Sequence, residues 1–313
     1  MQLNTLTIAG SLPQLPGGKL ENYGTGNGRH MEKSVIACGI VRNAKRSLRH
    51  NMPAIAELSQ QFREFRMLIF ENDSTDGTKE VLKQWQCILG DKLVVVSEDG
   101  GFRSPIPKSK EVTYNPFFSE KRISRMVVLR NQYLQYIEDH CLKADYLLVI
   151  DLDIANFTVD GIMSSFDMGI EWDAVCANCH SLSPKLRTRY HDTYALVEYG
   201  DENTPQTEEK ILSLSDKFAD IKPGDEPVRV YSAFGGISIY RFEAISGLRY
   251  KMIFNDDPRV EVRTEHFSIY KQMCDRGYTR TFINPAMLVK YQNLTLKIIM
   301  NSIRRNLFGY FHK

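Results

Sequence analysis

The sequence of 313 residues has few cysteines, no long apolar run and little net charge. Its formal net charge is +2, which is too small to indicate nucleic acid as a partner. No apolar run is as long as a membrane-spanning helix, and the N-terminus lacks the basic and then apolar pattern of a secretory signal. These absences favour a soluble protein or one peripheral to a membrane, unless an anchor lies outside this sequence.

The six cysteines are too few for a disulfide framework in a chain of this length. Cys176 and Cys179 form one C-x-x-C pair, but no second cysteine or histidine pair lies at zinc-finger spacing. His180 follows directly, as in haem attachment motifs, yet this isolated match lies inside an apolar run. We therefore expect structural thiols and a reducing, cytoplasmic location.

Residues 1–30 are polar, glycine-rich and without periodicity, and they end in a stretch that resembles a cloning junction, Gly28-Arg29-His30-Met31. We expect a tag or a disordered leader here and exclude it from the fold. Hydrophobic residues make up 42% of the chain and charged residues 25%, as in soluble globular proteins. The rest of the chain therefore has ample material for a core.

Apolar runs and helical periodicity alternate along the first third of the chain. The predicted elements are strands at 34–41, 66–70 and 92–97, and helices at 47–62 and 78–88. Pro53 would lie in the first turns of the first helix, where proline is tolerated. This alternation predicts a parallel sheet with right-handed crossovers.

The rest of the chain continues the pattern less regularly. The predicted elements are a loop at 99–120, helices at 121–141 and 265–276, and strands at 146–150, 172–178 and 228–240. The loop carries three prolines and is long enough to act as a lid over a site. Residues 180–227 are polar and are predicted to be irregular.

Two carboxylates stand at the end of one buried predicted strand, because Tyr146–Ile150 is followed by Asp151-Leu152-Asp153. In open α/β sheets, ligands bind beyond the carboxyl ends of the strands. Paired carboxylate oxygens suit Mg²⁺ or Mn²⁺, especially an ion that also carries phosphate oxygens. A metal site is therefore predicted here, with a simple strand-end turn as the alternative.

Three motifs occur in the order and at the spacing found in GT-A glycosyltransferases. They are Glu71-Asn72-Asp73-Ser74-Thr75-Asp76-Gly77-Thr78, Arg130-Asn131 on the helix before the central strand, and Asp151-Leu152-Asp153. With the later Thr264-Glu265-His266, the first motif makes the chain most similar to the capsule-associated α-mannosyltransferases of glycosyltransferase family 69. The resemblance runs from about Ser34 to Pro285.

The resemblance implies an α/β fold of the GT-A (Rossmann-like) type, with a mostly parallel sheet flanked by helices and an acceptor-side α+β half. Residues 31–154 would form the nucleotide-sugar-binding half, and residues 155–290 the acceptor-binding half of the same domain. Residues 291–313 would form a basic amphipathic segment suited to a membrane surface, with packing on the domain as the alternative. Fungal members carry an N-terminal anchor, which makes the Golgi lumen the alternative to a cytoplasmic or membrane-peripheral location.

The resemblance also implies a donor site at the carboxyl ends of the strands. The implied residues are Ala37, Gly39, Val41 and Arg42 at the base and ribose, Glu71 and Asp73 at the nucleoside, Arg130 at the phosphate or donor sugar, and Ser232, Gly235 and Gly236 beside that sugar. Asp151 and Asp153 would hold Mn²⁺ or Mg²⁺ against the diphosphate, with His266 as a third ligand. The alternatives are structural: a turn at Asp73, an ion pair at Arg130, a β-bulge at the glycines and an ordinary helix histidine.

The implied reaction is transfer of mannose from GDP-mannose, with a UDP-sugar as the second choice, to a glycan or a lipid-linked saccharide. Retention of the anomeric configuration is favoured, since the leaving phosphate can then take the acceptor proton. An inverting enzyme would instead need a general base, for which Glu265 and Asp257 are the candidates. Arg130 is expected to take part in catalysis in either case.

Two further functions are compatible with parts of the pattern. A non-catalytic binding or assembly protein could keep the same fold, although the intact pair of Asp151 and Asp153 argues against it. A nucleotidyltransferase would use the same metal but should carry a glycine-rich phosphate loop near the first strand. Only Gly39 is present there.

Overall fold

The structure of the protein, a computed structural model, describes residues 31–100, 115–183, 186–292 and Met300. The predicted leader lies outside the described residues, as do most of the predicted lid loop and most of the C-terminal segment. Among the described helices, none has the length and apolar character needed to cross a membrane.

Eleven strands and seven α-helices are present in the described residues. The strands are β1 (Met31–Val41), β2 (Phe62–Asn72), β3 (Leu93–Glu98), β4 (Tyr146–Ile150), β5 (Asn156–Phe157), β6 (Ala174–Leu182), β7 (Thr188–Tyr190), β8 (Val197–Glu198), β9 (Val228–Ser232), β10 (Ile237–Arg241) and β11 (Thr281–Lys290). The helices are α1 (Lys45–Leu58), α2 (Thr78–Leu89), α3 (Glu120–Asp139), α4 (Val159–Met163), α5 (Glu208–Lys217), α6 (Phe242–Ile245) and α7 (Glu265–Asp275).

All described strands belong to one sheet with the order β3-β2-β1-β4-β10-β6-β11-β9-β8, to which β5 and β7 add at β11 and β6. The pairs β2–β3, β1–β2, β1–β4 and β6–β11 are parallel, whereas β10 is antiparallel to both β4 and β6. Of the seven strands from β3 to β11, only β10 therefore runs in the opposite direction. The predicted mostly parallel α/β sheet is confirmed.

The strand register brings the polar strand ends to one edge. Val41 of β1 lies opposite Glu71 of β2, and Glu71 lies opposite Ser97 of β3. On the other side of β1, Cys38 lies opposite Val149 of β4, which puts Asp151 at the level of Ile40. This carboxyl edge is where ligands bind in open α/β sheets.

Two apolar layers cover the two faces of the sheet, because successive side chains of a strand point to opposite faces. Along β1, Val35 and Ala37 belong to one core cluster, and Ile36 and Cys38 to the other. The first layer takes its helical residues from α1 and α2, which contribute Leu48, Ile55, Leu58, Val81 and Trp85. The second takes them from α3 and α7, which contribute Tyr133, Leu134, Ile137, Ile269 and Met273.

Several predicted boundaries were wrong. Phe62 was expected to end the first helix, but a polar turn at residues 59–61 ends α1, and Phe62 begins β2 with its ring in the core. Pro53 lies in the interior of α1, which begins at Lys45 rather than at residue 47. The stretch 180–227 contains α5, β7 and β8 instead of only irregular chain.

The strand predicted at 228–240 is two strands, β9 and β10, separated by residues 233–236. Gly235 and Gly236 both have positive φ, at 64° and 82°, so the chain leaves the extended conformation at this point. β9 then pairs with β8 and β11, whereas β10 pairs with β4 and β6. The turn at the glycine pair therefore lets the chain pass from β9, beside β8 and β11, to β10, between β4 and β6.

Candidate active site

Arg130 lies at the centre of the carboxyl edge and joins three elements. Its Nε donates to Oε1 of Glu265 at 2.8 Å, and its Nη2 donates to Oδ1 of Asp151 at 3.0 Å. Arg130 comes from the buried face of α3, Asp151 follows β4, and Glu265 is the first residue of α7. We call these three residues the Arg130 cluster. Its guanidinium is buried, and such a charge is tolerated in the interior when it is paired and hydrogen-bonded.

The charged groups of the Arg130 cluster shift one another's pKa values. Burial works against the charge of Arg130, but Asp151 and Glu265 outweigh it and raise the pKa of the guanidinium. Burial raises the pKa of Asp151 to about 6; Arg130 opposes this shift and Asp153 adds to it. Burial also raises the pKa of Asp153. The edge thus holds more carboxylate charge than Arg130 alone compensates, which favours an added cation.

Arg130 also has an unused donor. Its Nη1 is buried and has no hydrogen-bond partner among the described residues. The guanidinium carbon lies 4.8 Å from the centre of the Phe234 ring, so the aromatic face covers one side of the group. A buried donor without a partner costs free energy, which makes Nη1 a position where a ligand oxygen would be stabilising.

The segment from Asp151 to Ala155 is fixed on several sides. The Asp151 N–H donates to the Gly236 carbonyl at 2.8 Å, and the Ala155 N–H donates to the Lys290 carbonyl at 2.9 Å. Ser47 Oγ donates to the Asp153 carbonyl at 3.0 Å. These bonds hold the backbone still, so that the two carboxylate side chains are positioned by the fold.

Leu152 alternates with the two aspartates and points into the core, where it is 2% exposed. A Cβ on Gly39 would lie 2.9 Å from both the Ile150 carbonyl oxygen and Leu152 Cδ1. Gly39 therefore lets this segment approach β1 closely, which is a packing role. Asp151 and Asp153 stay at least partly accessible at the edge.

The carboxylates of Asp151 and Asp153 fit a hard divalent cation. Among the described residues, no group of three or more His, Cys, Asp or Glu side chains is arranged to hold a metal by itself. Two carboxylates nevertheless suit Mg²⁺ or Mn²⁺ that takes its other ligands from phosphate oxygens and water. The protein residues thus offer an incomplete set that a bound diphosphate would complete.

His266, predicted as a third metal ligand, is instead packed among aromatic rings. Its ring stacks on Phe234 at 3.8 Å between centroids and meets the Tyr250 ring edge-on at 5.7 Å. Burial and the charge of Arg130 hold the pKa of His266 well below its usual value, which favours a neutral ring. The described residues do not bring His266 into a ligand group with Asp151 and Asp153.

Glu71 and Asp73, predicted at the nucleoside, lie at the same edge. Glu71 is buried, accepts from the Ser74 N–H at 2.8 Å and from the Ser97 hydroxyl, and lies 3.6 Å from Lys79 Nζ. Asp73 has a φ of 53° and accepts from the Gly100 N–H. Both side chains therefore shape the loop after β2 beside the predicted donor site.

The rest of the same motif connects the loops that follow β1 and β2. Ala44, which precedes α1, has no capping side chain of its own. Thr78 Oγ1 accepts from the Ala44 N–H at 2.8 Å, and Asp76 Oδ2 accepts from the Lys45 N–H at 3.1 Å. Asn43 exchanges two further hydrogen bonds with residues 74–75. We call Asn43, Ser74, Asp76 and Thr78 the loop network; it caps α1 from a distant part of the chain.

Some residues predicted to bind the donor have structural roles instead. Ala37 lies in mid-strand opposite Leu148 and packs in the core, well before the edge, and Val41 is also part of the core. Ser232 is fully buried, and its hydroxyl donates to the Ala195 carbonyl at 2.8 Å. Arg42 differs, because it follows β1 directly and is exposed at the edge.

The two glycines predicted beside the donor sugar face the protein's own backbone. A Cβ on Gly235 would lie 2.5 Å from the Ala177 carbonyl oxygen, and one on Gly236 would lie 3.0 Å from Ile154 Cγ2. The carbonyl of Gly236 holds the Asp151 N–H, as described above. The glycines therefore help to position the backbone of Asp151. Their direct contact with the donor sugar stays a prediction.

The two predicted base candidates are both engaged. Glu265 is 4% exposed and its Oε1 accepts from Arg130. Asp257 accepts from the N–H groups of Arg259 and Val260 at 2.9 and 3.0 Å, as a turn residue does. These contacts do not bring Asp257 to the Arg130 cluster.

Sequence reasoning missed Asp192, which belongs to the same neighbourhood. Its Oδ2 accepts from the Gly235 N–H at 3.2 Å, and its φ is 62°. Burial, together with the charges of Asp151 and Glu265, raises the pKa of Asp192 to about 7. Asp192 lies in the polar stretch that was predicted to be irregular, and no motif around it marks it in the sequence.

The sequence of the chain matches a known family. A family model described as Cryptococcal mannosyltransferase 1 matches residues 33–269, about three quarters of the chain. The chain belongs to this family. The family membership and the mostly parallel α/β sheet agree with the GT-A glycosyltransferase that the three motifs predicted.

Solved structures of glycosyltransferases are also similar, at low identity. The mannosyltransferase PcManGT from Pyrobaculum calidifontis, in complex with GDP-Man and Mn²⁺, is 13% identical with a TM-score of 0.47, and the match covers 88% of this chain and 61% of that one. TarS 1–349 from S. aureus is 10% identical with a TM-score of 0.43, and the match covers 89% and 66%.

A third structure is glucosyl-3-phosphoglycerate synthase from Mycobacterium tuberculosis in complex with Mn²⁺, UDP-glucose and phosphoglyceric acid. It is 12% identical with a TM-score of 0.41, and the match covers 88% of this chain and 77% of that one. The chain thus spans less than two thirds of the first two structures. No curated protein sequence matches the chain.

Proposed function

We propose that this glycosyltransferase moves mannose from GDP-mannose, bound through Mn²⁺ or Mg²⁺, to a hydroxyl of a glycan or lipid-linked saccharide. The observation that carries the proposal is the Arg130 cluster beside Asp153 at the carboxyl edge of the sheet. The family membership supports mannose as the sugar that is transferred. Guanosine as the base rests on the usual pairing of mannose with GDP among sugar nucleotides.

The two aspartates would hold the cation, and the cation would neutralise charge that develops on the departing diphosphate. Asp151 is fixed by Arg130 and by the Gly236 carbonyl, so its carboxylate needs little reorganisation when the donor arrives. Asp153 is more exposed and supplies the second carboxylate. Glu71 and Asp73 shape the adjacent loop, where the nucleoside would lie.

Arg130 would stabilise the same departing charge from the protein side. Its Nη1 is buried without a partner among the described residues, and one diphosphate oxygen would satisfy it. Asp151 and Glu265 hold the guanidinium in place through its other nitrogens. The arrangement is therefore preorganised for phosphate before the donor binds.

The contacts of the two predicted bases support a retaining reaction. Arg130 engages Oε1 of Glu265, and a turn engages Oδ1 of Asp257, so both carboxylates already have a hydrogen-bonding role in the fold. In a retaining transfer of this kind, the departing phosphate takes that proton. The cytoplasmic or membrane-peripheral location, its Golgi alternative and membrane contact by the C-terminal segment stay predictions.

A transfer assay tests the proposal. The protein is incubated with GDP-mannose or UDP-glucose, with Mn²⁺ or EDTA, and with an α-linked mannobiose as acceptor, and the products are identified by mass spectrometry. We expect a trisaccharide from GDP-mannose only when Mn²⁺ is present, and an α configuration of the new bond by NMR. A product from UDP-glucose alone would contradict GDP-mannose as the donor. A β-linked product would contradict retention and indicate an inverting reaction.

A further inference from the structure

Three side chains beside the donor residues have no part in the reaction as described so far. His191 and Asp192 follow β7, and Tyr291 follows β11. The His191 N–H donates to the Cys179 carbonyl at 2.8 Å, and the Tyr291 N–H donates to the His180 carbonyl at 3.0 Å. Both segments are therefore tied to neighbouring residues of β6, which brings His191 and Tyr291 side by side.

The two rings form a stacked pair. Their centroids are 3.6 Å apart, and their planes differ by 22°. His191 Nδ1 lies 3.2 Å from Ser181 Oγ, which fixes the imidazole. Tyr291 is 37% exposed, so this residue of the stacked pair can be reached from solvent. A fixed aromatic surface of this kind is a ready contact for an apolar ligand face.

Asp192 is held next to this pair. Its backbone carbonyl accepts from the Ala195 N–H at 3.1 Å, and Ser232 Oγ fixes the Ala195 carbonyl in turn. Its carboxylate accepts from the Gly235 N–H. Since Gly236 holds the backbone of Asp151, two consecutive glycines connect Asp192 to the predicted metal ligand.

Tyr291 is close to the same carboxylates. Lys290, the residue before it, accepts from the N–H of Ala155, only two residues after Asp153. Burial, followed by the charges of Asp153, Asp151 and Asp192, raises the pKa of the Tyr291 hydroxyl to about 12. The stacked pair, Asp192 and the predicted metal site therefore border one another.

We propose that Asp192 and the stacked pair of His191 and Tyr291 form the acceptor subsite, which binds one pyranose ring of the acceptor saccharide. A pyranose has a face of C–H groups, which would pack on the Tyr291 ring, and a rim of hydroxyls. One hydroxyl would donate a hydrogen bond to a carboxyl oxygen of Asp192. This subsite rests on the proposed function for the identity of the reaction, but it binds sugar through its own residues.

Two variants test the subsite. Asp192→Asn keeps the shape and removes a crowded charge, so it should fold, and Tyr291→Ala removes the aromatic surface. Binding of methyl α-D-mannopyranoside and of an α-linked mannobiose is titrated by saturation-transfer NMR, without nucleotide and with GDP and Mg²⁺. We expect at least a roughly tenfold weaker affinity for the mannobiose in either variant.

Asp275→Asn and Tyr199→Ala serve as controls, because they change an exposed aspartate and an exposed tyrosine of the same half. Both controls should bind the mannobiose like the wild type. Stabilisation by GDP and Mn²⁺ is measured on the wild type and all four variants by thermal unfolding, and we expect it to persist in Asp192→Asn and Tyr291→Ala.

Unchanged mannobiose affinity in both variants would overturn the subsite, as would a wild type that binds neither sugar in either arm. An equal loss of nucleotide stabilisation and sugar binding in the two variants would assign Asp192 and Tyr291 to the donor site. That result would also overturn the acceptor subsite. A wild type that binds sugar but is not stabilised by GDP and Mn²⁺ would support the subsite and contradict the proposed function. The two ideas can therefore fail separately.

Discussion

The two polar clusters at the carboxyl edge, the loop network and the Arg130 cluster, satisfy their hydrogen bonds in different ways. In the loop network, Asp76 and Thr78 accept from backbone N–H groups at the start of α1, and none of its side chains is among the described residues with a buried, unpartnered polar atom. In the Arg130 cluster, charged side chains pair with one another, and one buried donor of Arg130 lacks a partner among the described residues. The loop network therefore completes the fold, whereas the Arg130 cluster is prepared for a ligand.

The largest expected effect is on the Arg130 cluster. Arg130→Met should lower the free energy of unfolding by about 3–5 kcal/mol, because it leaves the buried Glu265 and the partly buried Asp151 without their cation. Urea unfolding measures this loss. The control Arg259→Met breaks the ion pair between the exposed Arg259 and the partly buried Glu208 and should cost less than about 1 kcal/mol. Equal losses in the two variants would contradict a buried, structurally coupled cluster.

The pH dependence of the stability of the metal-free protein tests the carboxylates near the Arg130 cluster. The folded-state pKa of Asp192 is raised to about 7, so its contribution to stability is present at low pH and is lost as pH rises through that value. Asp192→Asn cannot ionise. With EDTA, we expect wild type and variant to differ little near pH 4, and the variant to gain relative stability up to about pH 8. If the difference in stability between wild type and Asp192→Asn did not change with pH, the raised pKa of Asp192 would be contradicted.

Substitution in the loop network should change the free energy of unfolding by less than substitution in the Arg130 cluster. This change should not depend on the ionisation of Asp192. Thr78→Val keeps the shape of the side chain but removes the acceptor for the Ala44 N–H. We expect a loss of about 1–2 kcal/mol in the free energy of unfolding. Thr75→Val is the matched control, since the exposed Thr75 contributes its backbone N–H to the network. A larger loss from Thr75→Val than from Thr78→Val would mean that the network does not cap α1.

The sequence was sufficient to predict β1, β2, β3, β4 and β6, because buried parallel strands are continuous apolar runs, but β11 was missed. Runs such as residues 34–41 and 146–150 are visible without knowledge of their partners. The helix α5 was missed although Thr207 caps it and Glu208 and Glu209 lie in its first turn. That capping signal was readable, but only a few apolar residues of α5 are buried, so its periodicity is weak.

The site was predicted in part. Arg130, Asp151 and Glu265 were all identified, and the structure brings them together, yet the pairing of Glu265 with Arg130 depends on residues that are 135 positions apart. Asp192 was missed because its place depends on a left-handed conformation and on a contact with Gly235, 43 residues later. Local patterns indicate which residues can be functional, whereas long-range contacts decide which of them meet.

The central claim is that Asp151 and Asp153 hold a divalent cation against a nucleotide diphosphate, and nucleotide-induced thermal stabilisation tests it most directly. GDP and UDP are added to the wild type, to Asp153→Asn and to the control Asp160→Asn, each with Mn²⁺ or EDTA. A ligand at about 100 times its Kd stabilises a protein by about 2.7 kcal/mol. We predict this stabilisation by GDP with Mn²⁺ in the wild type and in Asp160→Asn, and its absence in Asp153→Asn. Equal stabilisation of Asp153→Asn, or equal stabilisation of the wild type in EDTA, would contradict the claim.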